Sequence, residues 1–112
     1  MSGSAEGNPA DPVVTNDPDS ERFEVTVGGE LAGFAKYRGI GENRDFTHTE
    51  IDDRLEGRGL GSTLIRTALD ETRAEGLGVI PHCPFVRRFI GRHPEYFDLV
   101  PQKRRHEFGL DV

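Results

Sequence analysis

The chain has 112 residues, of which 34% are apolar and 30% charged, enough for one hydrophobic core and too few for two. Twenty acidic against fourteen basic side chains leave a net charge of −6, which argues against a protein that wraps nucleic acid through its overall field. No run approaches the roughly eighteen apolar residues of a membrane span, the polar N-terminus lacks a signal-peptide core, and the single Cys83 cannot form an internal disulfide, so the expectation is a cytoplasmic protein away from membranes.

Residues 1–20 are rich in Gly, Pro, Ser, Asn and Asp, with Val13 and Val14 the only adjacent large apolar pair. That composition predicts a disordered arm, because it buries too little surface to offset ordering. From residue 21 the pattern is that of a folded domain, reaching to about residue 100 and followed by a polar tail over 101–112. "RFEVTV" alternates Phe23, Val25 and Val27, "GG" at 28–29 signals a hairpin, and "LAGFAKYR" reads as the returning strand. "DFTHTEI" (45–51) follows as a third strand. Strict alternation puts Thr47, Thr49 and Ile51 on one face and Phe46, His48 and Glu50 on the other. Leu60, Leu64, Ile65, Ala68 and Leu69 then recur at helical spacing, and Gly76 supplies the stop. "LGVIPHC" reads as a short strand. Pro84 opens a second helix with Val86, Phe89, Ile90 and His93 on one face, and Pro94 ends it.

Between the third strand and the first helix stands "EGRGLGST", with glycines at 57, 59 and 61. A strand-to-helix junction offers unpaired backbone N–H groups and the positive end of a helix dipole. Glycines there let several N–H groups converge on a phosphate without Cβ atoms in the way, or serve as a flexible turn. A P-loop needs a lysine that "GLGST" lacks, and a dinucleotide fingerprint needs further βα units.

The loop resembles that of the GNAT superfamily of acyl-CoA-dependent N-acetyltransferases, Gln/Arg-x-x-Gly-x-Gly/Ala. One register places Glu56 first, with Gly59 and Gly61 at the glycines; another starts at Arg54 and uses Gly57 and Gly59. "THTEIDDRLEGRGLGSTLI" and "VIPHCPFVRRFIGRHPEY" are similar to stretches of the small single-domain branch of that superfamily, in the same order. The resemblance implies a compact α/β fold: a mixed sheet of antiparallel N-terminal strands, then a β-α-β unit and a C-terminal helix. It implies strands at 45–52 and 77–82 that splay apart around the pantetheine of acetyl-CoA, and amides of Glu56, Gly57, Arg58, Gly59, Leu60, Gly61 and Ser62 that hold the pyrophosphate. It also implies polarisation of the thioester carbonyl by a backbone N–H near Ile51–Asp53. The larger superfamily's extra N-terminal helices have no counterpart in this sequence.

Acetyl transfer to an amine needs an anchored donor, a polarised carbonyl and a base for the ammonium. Glu50 and His48, on one strand face, supply candidate bases; the alternative is two solvated polar residues. Cys83 precedes Pro84 at the start of the second helix, with Arg87 and Arg88 a turn on. Helix dipole and arginines favour thiolate, which suits a nucleophile lining the donor site, whereas a free cysteine is also often a small buried hydrophobe. Arg87, Arg88 and Arg92 either meet the phosphates of CoA or form a solvated face. Tyr96 stands near where many GNAT enzymes carry a tyrosine acid, and is also placed to pack against Phe97 and Leu99. His82, His93 and Cys83 lack the spacing of a zinc site, so no metal is expected. The sequence therefore predicts an acetyl-CoA-dependent N-acetyltransferase acting on an amine of unknown identity, small molecule or protein. The alternatives are a non-catalytic CoA-binding or sensing module, and a small interaction domain whose glycines form only a turn.

Overall fold

The computed structural model describes residues 11–55 and 57–110. Five strands among them form one sheet in chain order: β1 (Val13–Asp17), β2 (Arg22–Val27), β3 (Glu30–Ile40), β4 (Asn43–Ile51) and β5 (Gly78–Pro81). β1 to β4 are antiparallel neighbours, and β5 runs parallel to β4. Helix α1 (Leu60–Ala74) makes the crossover between β4 and β5. Helix α2 (Pro84–Arg92) follows β5, and three short 3-10 turns complete the chain between Pro94 and Phe108. The expected α/β order, antiparallel strands and then β-α-β and a further helix, is the order observed.

The local causes are those of the sequence pattern. Gly28 and Gly29 both take positive φ (59° and 84°), the backbone that a two-residue turn between twisted strands requires. The helical stripe Leu60, Leu64, Ile65, Ala68 and Leu69 is wholly buried on the sheet. Pro84 sits in the first turn of α2, where its missing N–H costs nothing, and Val86, Phe89 and Ile90 turn inward. Each fully buried Leu, Ile or Phe contributes about 1.5–3 kcal/mol, so this face of the sheet and α1 form the core.

Strict alternation fails in β4. The pairs Lys36↔His48 and Tyr37↔Phe46 leave Thr47 with no partner on β3. That extra residue is a β-bulge, which resets which side each later residue faces. Phe46 therefore joins Thr49 and Ile51 on the α1 side, in rows with Tyr37, Ala35 and Gly33, rather than sharing a face with His48 and Glu50. Phe46 is 1% exposed and stacks near Phe23 and Tyr37. His48 and Glu50 pair with Lys36 and Phe34 on the outer face.

The expected limits of the domain also move. Residues 1–10 lie outside the described residues, but 13–17 of the expected arm form β1, an edge strand in register with β2. Its β-branched residues suit a strand, and the Tyr37 hydroxyl donates to Asn16 Oδ1 at 2.7 Å. Of the expected tail, residues 111–112 lie outside the described residues, while Phe108 and Leu110 are buried. Arg73 on α1 ties the preceding segment down through both Asp98 oxygens (2.7 and 3.1 Å) and the Glu95 carbonyl (2.9 Å). This arginine holds the Asp98 carboxyl below its ordinary pKa.

Candidate functional site

The ladder between β4 and β5 is short. It runs only from Asn43↔Gly78 to Phe46↔Pro81. One further bond, from the Cys83 N–H to the Phe46 carbonyl (2.8 Å), closes it. Cys83 then turns away to become the N-cap of α2, so Thr47–Ile51 continue with no strand on that edge. The two strands thus open into a V whose apex is Phe46 and Cys83.

The glycine loop stands beside this V. Gly57 (φ 87°) and Gly59 (φ 74°) both adopt the left-handed conformation, and a side chain at either would be strained. Gly61 is helical, and its reason is different: a Cβ there would collide with the Phe85 ring of α2. Two glycines shape the loop and one brings the helices together. Gly59 is the N-cap of α1, with no side-chain cap and no acidic residue in the first turn. The first amides of α1 are therefore left for a ligand or water, at the positive end of the helix dipole.

A cleft of about 370 Å³ lies here. Gly57, Gly59, Leu60, Gly61 and Ser62 line one wall, and Ile51, Leu55 and Phe85 the rest. Through Ser62 and Phe85 it adjoins a groove of about 180 Å³ that carries Arg88, Phe89, Arg92 and His93. Arg88 and Arg92 are one turn apart on α2, and His93 stacks on Phe89 at 4.0 Å. Arg87 does not line either cavity, nor does the exposed Arg58. Glu56 lies outside the described residues. Arg54, the start of the other loop register, is engaged by both Asp52 oxygens (3.2 and 2.7 Å). That contact lowers the Asp52 pKa.

A further groove of about 340 Å³, between the start of β3 and the end of β4, is lined by Leu31 to Phe34 and Glu50 to Asp53, and reaches the outer face at Phe34 and Glu50. It shares Ile51 with the first cleft. Beside it, His48 Nε2 and Glu50 Oε2 are 2.8 Å apart, both side chains more than half exposed. Among the backbone donors expected to polarise a carbonyl, the Asp52 N–H is already given to the Ala32 carbonyl (2.8 Å).

Cys83 is 3% exposed, and its thiol donates to Thr49 Oγ1 at 3.3 Å. It caps α2 by backbone position only and makes no side-chain bond to the helix amides. Tyr96 is 4% exposed and donates to Asp70 Oδ1 (2.7 Å). Burial first, then its hydrogen bond to Asp70, raises its pKa. His82, Asp45 and Phe85 hold positions at or next to the V that the linear pattern did not single out for this site. Among the described residues no group of three or more His, Cys, Asp or Glu is placed to hold a metal, and no helix is long and apolar enough to cross a membrane.

A strand pair that splays beside a capless, glycine-led helix defines the class: an acyltransferase fold. The sequence profile described as GCN5-related N-acetyl-transferase matches residues 22–99, and the chain belongs to that family. Protein NATD1 of Bos taurus is similar, 29% identical over 83 residues, covering 72% of this chain and 74% of the bovine protein. The NMR structure of a GCN5-like candidate N-acetyltransferase from Staphylococcus aureus superposes with a TM-score of 0.63 at 18% identity, over 85% of this chain and 91% of that one. At that identity the likeness speaks for the fold.

Proposed function

We propose that the protein transfers acetyl from acetyl-CoA to an amine that arrives as an ammonium ion. The observation that carries this reading is that two cavities, the glycine-loop cleft and the groove that reaches the outer face at Phe34 and Glu50, share Ile51 at the end of β4 that has lost its neighbour. The inner cleft suits the donor: its pyrophosphate against the amides of Leu60–Ser62, its other phosphate toward Arg88 and Arg92, its pantetheine along the free edge of β4. The outer groove suits the acceptor, since its carboxylates attract an ammonium ion and its apolar residues receive a carbon chain. Glu50, assisted by His48, takes the ammonium proton. The amine lone pair then forms a C–N bond at the thioester carbon, the C–S bond breaks, the nitrogen gives up its second proton to solvent, and CoA leaves as a thiolate that takes a proton from solvent.

Donor binding is tested by thermal unfolding with acetyl-CoA. At about a hundred times its dissociation constant the ligand stabilises the fold by roughly 2.7 kcal/mol. Gly59→Glu abolishes that gain, by left-handed strain and by negative charge at the phosphate, while Gly59→Ala carries the strain alone and retains most of it. A ligand-induced shift unchanged in Gly59→Glu removes the loop from the donor site.

A further inference from the structure

The apex of the V is crossed by side chains on both faces of the sheet. On the inner face the Cys83 thiol meets Thr49. On the outer face Asp45, paired in register with Arg38 and therefore opposite to Phe46, meets His82 of the segment leaving β5. Asp45 is 0% exposed. Its Oδ1 lies 2.8 Å from His82 Nδ1 and its Oδ2 3.1 Å from Arg38 Nε. A carboxylate only accepts, so Nδ1 carries the proton and donates. A buried carboxylate is costly unless each oxygen is bonded, and His82 is the partner that spans β4 and β5; Arg38 belongs to β3. His82 itself packs edge-on against Phe108, at 5.3 Å between ring centres.

We infer that the Asp45–His82 pair is a pin that sets where β4 and β5 part, and so positions the donor in the cleft between them. His82 is on this reading a positioning residue that works through Asp45. The donor half of the inference rests on the proposed acetyl-CoA site; the pin itself does not. The chain carries its own reporter, because its single cysteine lies at the apex and is shielded there.

The experiment measures iodoacetamide alkylation of Cys83 in the intact chain, with near-UV circular dichroism confirming that each variant is folded. His82→Ala labels about tenfold faster than the parent, the scale of losing one charge-assisted hydrogen bond. His82→Asn labels near the parental rate, since its Nδ2 sits on Cγ as His Nδ1 does. Arg38→Ala, which removes the other partner of Asp45 without touching the β4–β5 crossing, also stays near parental. If His82→Ala does not fold, His82→Gln replaces it, with its amide nitrogen one bond too far along. Parental labelling in His82→Ala, no rescue by asparagine, or equal acceleration in Arg38→Ala each overturns the pin. Acetyl-CoA affinity is then read by calorimetry on the same proteins, and falls by about the same factor in His82→Ala and not in His82→Asn. Unchanged affinity with accelerated labelling overturns the positioning role. A parent that binds no acetyl-CoA overturns the donor reading, while the labelling series still decides the pin.

Discussion

The two halves of β4 are built on different terms. Asn43–Phe46 is bonded to strands on both edges, and its Arg44, Asp45 and Phe46 are buried; Thr47–Ile51 is bonded on one edge, and His48 and Glu50 project into solvent. The first half holds its charges inside. Arg44, 7% exposed, donates to Thr72 Oγ1 (2.9 Å) and to both Glu75 oxygens (3.2 and 3.0 Å), with its guanidinium carbon 4.4 Å from the centre of the Tyr37 ring. In the second half the His48–Glu50 contact, at 2.8 Å, is shorter than the contacts Arg44 makes, yet exposed. Distance alone does not distinguish a charge that holds the fold from one free to do chemistry; the surroundings do.

That contrast can be broken first at Phe46. Phe46→Ala empties a site lined by Phe23 and Tyr37 and costs about 3–5 kcal/mol, read from the shift in urea midpoint at unchanged slope; a loss under about 1 kcal/mol would mean the first half is not the anchor. Next in size is an effect on rate alone. Glu50→Gln lowers kcat/KM for amine acetylation about a hundredfold or more while leaving the urea midpoint in place, and Cys83→Ala keeps most of the activity because the thiol only bonds Thr49. An acetylated Cys83 that forms and decays at the turnover rate would reverse those roles. Smallest is the mutual stabilisation of His48 and Glu50. A double-mutant cycle on folding stability gives about 0.5 kcal/mol or less, and a value several times larger would erase the contrast between the two halves.

How much of this the sequence disclosed depends on how local each signal is. The stripe from Leu60 to Leu69 and the glycines at 57 and 59 are read from a single stretch of chain, because helical period and loop conformation are local properties. The bulge at Thr47 is not, since it exists only in the mismatch between residue counts on β3 and β4. β1 was hidden by the prolines and aspartates that flank it: its order comes from the ladder to β2 and from Tyr37, 21 residues away. The pairing of Asp45 with His82 spans 37 residues and leaves no periodic trace. Phe85, Phe89 and Arg88, Arg92 do repeat at four-residue spacing, and that second stripe on α2 was the available clue to the groove beside Ser62.

Thr47 itself touches none of the chemistry, and substitution by Ser or Val at this exposed position changes little. Its presence, however, sets the parity of everything that follows in the strand. It does so by standing outside the ladder: with Thr47 kept and the bulge lost, unbroken alternation from Phe46 would drive His48 and Glu50 against α1 and carry Ile51 out to water, whereas deleting Thr47 would close the ladder with those faces unchanged. A change of length in β4 is therefore absorbed at position 47 and nowhere beyond it: a deletion at 48, 49 or 50 with the bulge kept turns Ile51 outward, away from the cleft that it lines.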